Sequence, residues 1–438
     1  MTVRLTQIKR CRVLAVSPAL RTSEGALNRP PEQPGETDAR HAARRLGFIT
    51  AIPQSVHRGS GCYVGIATLA AGLRALGNHV EFIQPGFRTG SHLADQYLFN
   101  QSLRHRKSWD FDAVVGFDLD GYTLRPGRVP HIANIKGVLA DAVRFEQGFT
   151  RVAMTRQARW EGEHARRADL IVTISEYCRE RMREFYKVTA PIAIVPELID
   201  LAAWRKLFRA NPADRDGFTV LCVCRFYPRK RVALLLEAAH MLRGRIPDLE
   251  IRIAGGGPEA ASLHARWRDL QLESVVTWVG EVTRSGLARE YNRADIFCLP
   301  SVQEGFGIAF LEAMAAGKPI VAARAAAVPE VVRDGVLVEP ENAEALADGI
   351  WQLWRDPARR EEIAHQQQLT VERYDMLRVA GEFQAATSPR PQSSPPDSAA
   401  RDRLRAAPRS TAEPSPAPHP AGSSRTPLQR GPSTATRH

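Results

Sequence analysis

Long apolar runs are missing from this sequence. No window holds about 18 consecutive apolar residues, so we expect no membrane-spanning helix. The chain is 44% hydrophobic and 25% charged, which excludes a wholly disordered or collagen-like protein. Its 438 residues are enough for two or three domains of ordinary size.

Cysteines are few and scattered, and no CxxC pair or HxxxH pair occurs. A structural zinc site needs four ligands at close spacing, so we expect core thiols and no metal. Cys222 and Cys224 fall on one face of a predicted strand, which fits this interpretation. The cysteine usage favours a reducing compartment, and we expect a cytoplasmic protein that associates at most peripherally with the inner face of a membrane.

The basic excess is concentrated at the two ends of the chain. The net charge is +12, of which residues 1–45 and residues 387–438 each carry +5. Residues 387–438 also hold 11 of the 30 prolines and no Phe, Tyr or Trp. Such a composition buries too little apolar surface to fold, so we predict a disordered C-terminal tail and a partly disordered N-terminal extension. We therefore expect no specific nucleic-acid partner, although a basic-tailed binding protein using Arg403, Arg405 and Arg409 stays open as an alternative.

Two series of apolar runs alternate with helical patterns between these ends. The first predicts strands at 48–52, 80–83, 113–117, 132–135, 170–174 and 192–195, and the second at 218–224, 249–254, 275–280, 295–300, 319–323 and 336–338. Parallel strands with helical crossovers imply an α/β protein of two Rossmann-like, doubly wound domains facing a cleft. The predicted bounds are 46–210 and 211–370, followed by a helix over 371–386 that could cross back.

The segment from Glu304 to Pro319 carries the strongest chemical signal. Glu304 and Glu312 are eight residues apart across a glycine-rich loop that opens a helix at Ile308. Free N–H groups at a helix start suit phosphate, and the two carboxylates suit hydroxyl groups such as those of ribose. The alternative is a solvated helix with two surface acids.

Three further motifs are weaker. Arg225 and Lys230 follow the strand at 218–224, where two cations could neutralise a diphosphate, although an ordinary basic turn is the alternative. The turn Gly255–Pro258 lacks the dinucleotide-binding spacing and is equally consistent with a tight structural turn. Asp118 and Asp120 form a DxD sequence that could bind a divalent ion, but three residues are a common chance match.

Taken together, Arg225–Lys230, GGGP at 255–258, VVTWVGEV at 275–282 and EGFGIAFLEAMAAGKPIV at 304–321 resemble the family-4 retaining glycosyltransferases of GT-B fold. HRGSG at 57–61 and ADLIVTISEYCRERM at 168–182 are similar to the corresponding amino-terminal segments. The resemblance covers roughly residues 46–386. It implies transfer of a sugar from a nucleotide-diphosphate-sugar donor to a glycan, lipid or small-molecule acceptor, without a metal or other cofactor.

The resemblance also implies roles for individual residues. Arg225 and Lys230 would hold the diphosphate, Glu304 the donor sugar and Glu312 the ribose. The implied donor-binding residues are Gly61, Arg225, Lys230, Gly256, Glu304, Gly305, Phe306, Gly307, Ile308 and Glu312. The implied catalytic residues are Glu304, Lys136, Arg225 and Lys230.

Three segments differ from the family pattern, and one of them is the short stretch after Asp334-Gly335. Lys136 stands where the family often has a histidine, and it could donate a hydrogen bond to the sugar. Ala326-Ala327 replaces the usual Gly-Gly before Pro329-Glu330. A GT-B nucleotide-sugar epimerase, which would turn over its donor without an acceptor, is the second enzymatic interpretation.

Overall fold

The computed structural model describes residues 43–52, 61–86, 88–106, 109–125, 127–214 and 217–388. The loop that precedes Gly61 and almost all of both terminal segments lie outside these described residues, and so do the predictions of disorder made for those segments. The described chain up to Ser388 belongs to one compact unit.

The first half of this unit is built on a six-stranded parallel sheet with the order β2-β1-β3-β4-β5-β6. Every residue of β3 and β4 is buried, as expected for strands that are covered by helices on both faces. The strands are β1 (Arg45–Ile49), β2 (His79–Ile83), β3 (Ala113–Phe117), β4 (His131–Ile135), β5 (Leu170–Thr173) and β6 (Ile192–Ile194). The helices are α1 (Gly61–Ala75), α2 (His92–Leu103), α3 (Leu139–Ala142), α4 (Gly148–Arg167), α5 (Glu176–Tyr186) and α6 (Leu201–Ala210).

The second half repeats this plan with the strand order β12-β11-β10-β7-β8-β9, again parallel throughout. The strands are β7 (Phe218–Val223), β8 (Leu249–Ala254), β9 (Val276–Gly280), β10 (Ile296–Leu299), β11 (Ile320–Ala323) and β12 (Val336–Val338). The helices are α7 (Val232–Leu242), α8 (Ala260–Asp269), α9 (Arg284–Arg293), α10 (Ile308–Ala315), α11 (Val328–Val331), α12 (Ala343–Arg355), α13 (Pro357–Val371) and α14 (Met376–Thr387). The predicted pair of doubly wound parallel sheets is confirmed.

Two helices link the halves. Helix α14 returns to the first sheet, where Val379 and Phe383 join the buried cluster around Phe48. Helix α6 belongs by sequence to the first predicted domain, yet Trp204 and Phe208 pack edge-on against Tyr291 of the second half. The polar segment after α6 suggested a domain boundary at residue 210. The apolar face of α6 nevertheless packs against the second half, so the helix belongs to that half by its contacts.

The first strand differs from its prediction. Strand β1 begins at Arg45, the last residue assigned to the N-terminal extension, and ends at Ile49 rather than residue 52. Beyond it, the amide of Ala51 donates to the Asp120 carboxylate, so this segment bonds to a side chain instead of extending the ladder. The strand was therefore predicted in the right segment, but both its start and its end were placed three residues too late.

Candidate active site

The loop after β7 carries the two predicted cations. Arg225 lies two residues beyond the strand, and Lys230 ends a 3-10 turn, Pro228–Lys230. The amide of Phe226 donates to the carbonyl of Gly256 at 3.0 Å, which fixes this loop against the turn after β8. The carboxyl ends of β7 and β8 thus present their loops side by side, at the edge where open parallel sheets bind ligands.

Lys230 forms an ion pair with Glu304 of the loop after β10. Only 13% of the Lys230 side chain and 9% of the Glu304 side chain are exposed. A backbone hydrogen bond of 2.9 Å from Val302 to Arg229 holds the two loops together. The structure therefore brings together two predicted site residues that are 74 positions apart in the sequence.

Arg225 lies at the exposed rim of the same edge. Its guanidinium pairs with Glu281, which follows β9, and nearly half of each side chain is exposed. Sequence reasoning missed Glu281 because a single acid after a strand carries no pattern. A phosphate approaching Arg225 would have to replace this carboxylate.

The turn Gly255–Pro258 has a structural explanation at two of its glycines. Gly255 has φ +125°, and a Cβ there would lie 2.0 Å from the Cys224 carbonyl oxygen. A Cβ on Gly257 would lie 2.6 Å from the Phe226 amide nitrogen. A Cβ on Gly256 meets only the Glu281 side chain, at 3.4 Å and beyond, so Gly256 alone faces the rim where Arg225 lies.

Helix α10 presents the second glutamate. Glu312 is in its second turn, and the hydroxyl of Tyr291 donates to Oε2 of Glu312 at 3.0 Å. Burial raises the pKa of Glu312 to about 7, so this carboxylate is poorly solvated without a ligand. Gly307 caps the helix with φ +94°, and Ile308 is its first residue, with backbone N–H groups that lack intrahelical partners.

Phe306 is placed differently from its expected role. Its ring is buried and packs edge-on against Tyr374, with ring centroids 5.3 Å apart. The side chain therefore anchors the loop to the core, and only the backbone of Phe306 is available to a donor. The family resemblance alone did not distinguish these two roles.

The loop that contains Glu304 also contacts the first half of the molecule. The Ser175 hydroxyl donates to the Gly305 carbonyl at 2.8 Å and accepts from the Cys178 amide, as expected for the N-cap of α5. A Cβ on Gly305 would lie 3.2 Å from the Lys136 carbonyl oxygen. Glu330 accepts two 2.8 Å hydrogen bonds from the first amides of α5, at Glu176 and Tyr177. Glu304 and Lys230 thus lie at the junction between the two sheets.

Lys136 follows β4 on the opposite side of this junction. Its Nζ donates to Oε2 of Glu197 at 3.0 Å, and each side chain is only 4% exposed. A Cβ on Gly65 would lie 2.5 Å from the same carboxylate, so Glu197 packs directly on α1. Lys136 is therefore neutralised by a neighbour that sequence reasoning missed, and its ammonium is held in one orientation.

This pair allows a stability prediction. Lys136→Met or Glu197→Gln alone leaves one charge buried without its partner, whereas changing both leaves none. We expect each single variant to melt at a lower temperature than the Lys136→Met/Glu197→Gln double variant. Differential scanning fluorimetry of the four proteins checks this order, and a double variant less stable than both singles would contradict it.

The two carboxylates of the DxD segment accept hydrogen bonds from neighbouring parts of the chain. Asp120 is buried and accepts from the Ala51 amide and from Asn100 Nδ2 at 2.9 Å, and burial raises its pKa to about 7. Oδ1 of Asp118 accepts from the Lys136 amide at 2.8 Å. Among the described residues, no group of three or more His, Cys, Asp or Glu side chains could hold a metal ion.

Gly61, the remaining predicted donor contact, is the first residue of α1. The HRGS sequence before it lies outside the described residues. Cys178, Cys222 and Cys298 are buried free thiols, in agreement with their interpretation as core residues, whereas the free thiol Cys224 lies one residue beyond β7 and is only half-buried. In the same part of the chain, no helix has the length and hydropathy needed to cross a bilayer.

Two doubly wound halves with charged loops at their shared junction define the GT-B class of fold. Residues 59–203 match the family model described as Glycosyltransferase Family 4, and residues 205–369 match the one described as Glycosyl transferases group 1. The chain belongs to glycosyltransferase family 4. The resemblance identified in the sequence is thereby confirmed.

Three comparisons illustrate this relationship. A GDP-mannose-dependent alpha-(1-6)-phosphatidylinositol monomannoside mannosyltransferase of Mycolicibacterium smegmatis is 29% identical over 250 residues, or 53% of this chain and 65% of the relative. A phosphatidyl-myo-inositol mannosyltransferase of Mycobacterium tuberculosis is 34% identical over 198 residues, or 43% of this chain and 52% of the relative. Sucrose-phosphate synthase from Thermosynechococcus elongatus shares the fold, with a TM-score of 0.65 at 19% identity over 83% of this chain and 100% of that one. The matched segments thus span between about half and two thirds of the two mannosyltransferases.

Proposed function

We propose that this protein transfers a sugar from a nucleotide-diphosphate-sugar donor to a hydroxyl-bearing acceptor, with retention of anomeric configuration. The observation that carries the proposal is the Lys230–Glu304 pair, which places one cation and one carboxylate together at the carboxyl edge of the second sheet. Lys230 and Arg225 would bind the diphosphate, and Glu312 would bind the ribose. The start of α10 supplies backbone N–H groups between them.

The charges fit the chemistry of breaking a glycosidic bond to a diphosphate. Negative charge develops on the leaving phosphate while the sugar becomes oxocarbenium-like. Lys230 would stabilise the phosphate, and Glu304 would be freed to contact the hydroxyls of the electron-poor sugar. Because Lys230 is largely buried, its charge acts there in a medium of lower dielectric constant than water.

The two mannosyltransferase relatives suggest the substrates. One is named for GDP-mannose, and both are named for acceptors that contain phosphatidylinositol. We infer that GDP-mannose is the first donor to assay and that a polyol head group on a lipid is the first acceptor. Release of GDP that depends on acceptor supports a transferase, whereas epimerisation of the donor without acceptor would contradict it. Proton NMR of the anomeric proton in the product tests retention.

The first prediction for this site concerns metal ions. Since Arg225 and Lys230 would neutralise the diphosphate, we expect full activity after treatment with EDTA. The check is the initial rate in chelated buffer, with and without added manganese. Loss of activity in EDTA and recovery with manganese would contradict the assignment and move the diphosphate towards Asp118 and Asp120.

The second prediction concerns pH. The ionised Glu312 carboxylate can accept hydrogen bonds from both ribose hydroxyls, and it protonates as the pH falls through about 7. We therefore expect the donor KM to rise between pH 8 and pH 6. Glu312→Gln should have a high donor KM that does not change over this range, because its amide does not titrate.

The same pKa shift predicts an opposite trend for the stability of the free protein. Since the folded pKa of Glu312 lies above its ordinary value, its contribution to stability is lost as the pH rises through about 7. Asp120 titrates in the same range, so the difference in melting temperature between wild type and Glu312→Gln isolates Glu312.

For the prediction on donor binding, a wild-type donor KM that is independent of pH would contradict the ribose assignment.

A further inference from the structure

The outer face of α4 carries two apolar side chains that no part of the described chain covers. Phe149 is 83% exposed and Val152 is 67% exposed. With Arg156 and Arg159 they follow the spacing i, i+3, i+7 and i+10, which places all four on one stripe of the helix. Exposed apolar residues on a regular stripe, rather than scattered singly, indicate an interaction surface for a partner outside the described chain.

The charge around this stripe has one sign. Five arginines of α4 are exposed: Arg151, Arg156, Arg159, Arg166 and Arg167. Within α2, α3, α4 and the turn Val143–Phe145 with its cap, the acids Asp95, Asp141, Glu146 and Glu161 are buried. Glu163 alone among the acids of these segments is partly exposed, and it lies 3.9 Å from Arg167. The face therefore complements an anionic surface.

Aromatic rings continue the stripe towards α2. Trp160 stacks on Tyr122, with ring centroids 5.3 Å apart. The guanidinium of Arg156 also lies over the Trp160 ring, 5.5 Å from its centroid. Tyr97 packs against Trp160 and is 43% exposed, and Leu98 beside it is 40% exposed. Tyr, Trp and Arg next to exposed Phe, Val and Leu form the combination that is enriched where proteins meet the head groups of a bilayer.

The apolar end of α4 lies next to the proposed active site. Glu146, two residues before the helix, is 3.5 Å from Arg229, which neighbours Lys230. The guanidinium of Arg231 lies 6.0 Å from the Phe145 ring. A surface that receives the Phe149 end of the helix would therefore lie beside the junction where Lys230 and Glu304 meet.

We propose that the face formed by Phe149, Val152, Arg156, Arg159 and Tyr97 binds the surface of an anionic phospholipid bilayer. Phe149 and Val152 enter the head-group region, and the arginines contact lipid phosphates. Binding itself is independent of the proposed function. The consequence that an acceptor enters from the bilayer rests on it.

The test compares full-length variants by cosedimentation with vesicles of phosphatidylcholine alone or mixed equally with phosphatidylglycerol. The basic ends of the chain are present in every variant, so differences report on α4. The variants are Phe149→Gln/Val152→Gln and Arg156→Gln/Arg159→Gln. The matched control is Leu369→Gln, which removes an apolar side chain that is 56% exposed on α13.

Wild type and Leu369→Gln are expected to bind the anionic vesicles and not the neutral ones. The Phe149/Val152 variant should bind at least about tenfold more weakly, because two apolar side chains no longer enter the membrane. The arginine variant should lose about fivefold for each cation removed. Equal binding to both vesicle types, or wild-type binding by the Phe149/Val152 variant, overturns the proposal.

The same variants separate this proposal from the proposed function. With GDP-mannose and a water-soluble acceptor, Phe149→Gln/Val152→Gln should turn over at the wild-type rate, because its changes lie outside the active site. Normal vesicle binding by a protein without transferase activity would refute the proposed function only. Normal sugar transfer by a protein that does not bind anionic vesicles would refute only the proposal that this face of α4 binds a bilayer.

Discussion

Glu304→Gln is expected to lower kcat about a hundredfold at saturating donor, the usual effect of losing one oriented contact to a transition state. Glutamine keeps the volume of the side chain but removes the charge that complements an oxocarbenium-like sugar. The donor KM should not rise, because Lys230 loses its carboxylate partner and is left free for the diphosphate. Steady-state kinetics with varied donor at saturating acceptor measures both quantities.

The control for this variant is Glu362→Gln, which changes an exposed acid on α13 in the same isosteric way. A circular-dichroism spectrum that matches wild type would show that the fold is intact, while the melting temperature of Glu304→Gln should fall because the largely buried Lys230 loses its partner. A Glu304→Gln enzyme with wild-type kcat would mean that this carboxylate only holds Lys230 and takes no part in breaking the bond.

Lys230→Met is expected to reduce kcat/KM on the order of a thousandfold, since it removes a largely buried cation and leaves Glu304 unpaired beside the phosphates. We expect kcat to fall and the donor KM to rise, because a cation that holds the diphosphate in the ground state also stabilises it as it leaves. The combined Lys230→Met/Glu304→Gln variant should lose less than the two single effects together, because no uncompensated charge remains.

Two matched variants calibrate this result. Arg225→Met should lower kcat/KM only about tenfold, because the Arg225 side chain is 45% exposed and its charge is screened by solvent. Lys206→Met, on the exposed side of α6, should have no effect. If Lys230→Met were no worse than Arg225→Met, the buried ion pair would not be the diphosphate site.

Most of the architecture could be predicted from apolar periodicity. Strands β3, β8 and β12 have the predicted bounds, because each lies between two residues that are charged or glycine. Helix α4 was not predicted, since its exposed stripe contains Phe149 and Val152 while its buried face contains Glu161 and His164. That reversal of the usual pattern removes the amphipathic signal that identifies a helix.

The active site was predictable only in part. The family resemblance pointed to Lys230 and Glu304, and the structure brings them into contact. The contacts of Glu197 and Glu330 could not have been predicted from the sequence, because the partners lie on other loops: Lys136 in one case and the first amides of α5 in the other. The packing of the Phe306 ring on Tyr374 could not be predicted either, since a ring in a glycine-rich loop can point to ligand or to core.

In the proposed function, Lys230 and Glu304 form the diphosphate-sugar site of this family-4 glycosyltransferase. Isothermal titration of GDP and GDP-mannose, then of the UDP and ADP counterparts, into wild type and Lys230→Met measures binding at this site. We expect wild type to bind at least one nucleoside diphosphate and its sugar conjugate with 1:1 stoichiometry, and Lys230→Met to bind neither at the same concentrations. Failure of wild type to bind any of them, or equal affinity in the two proteins, would contradict the claim.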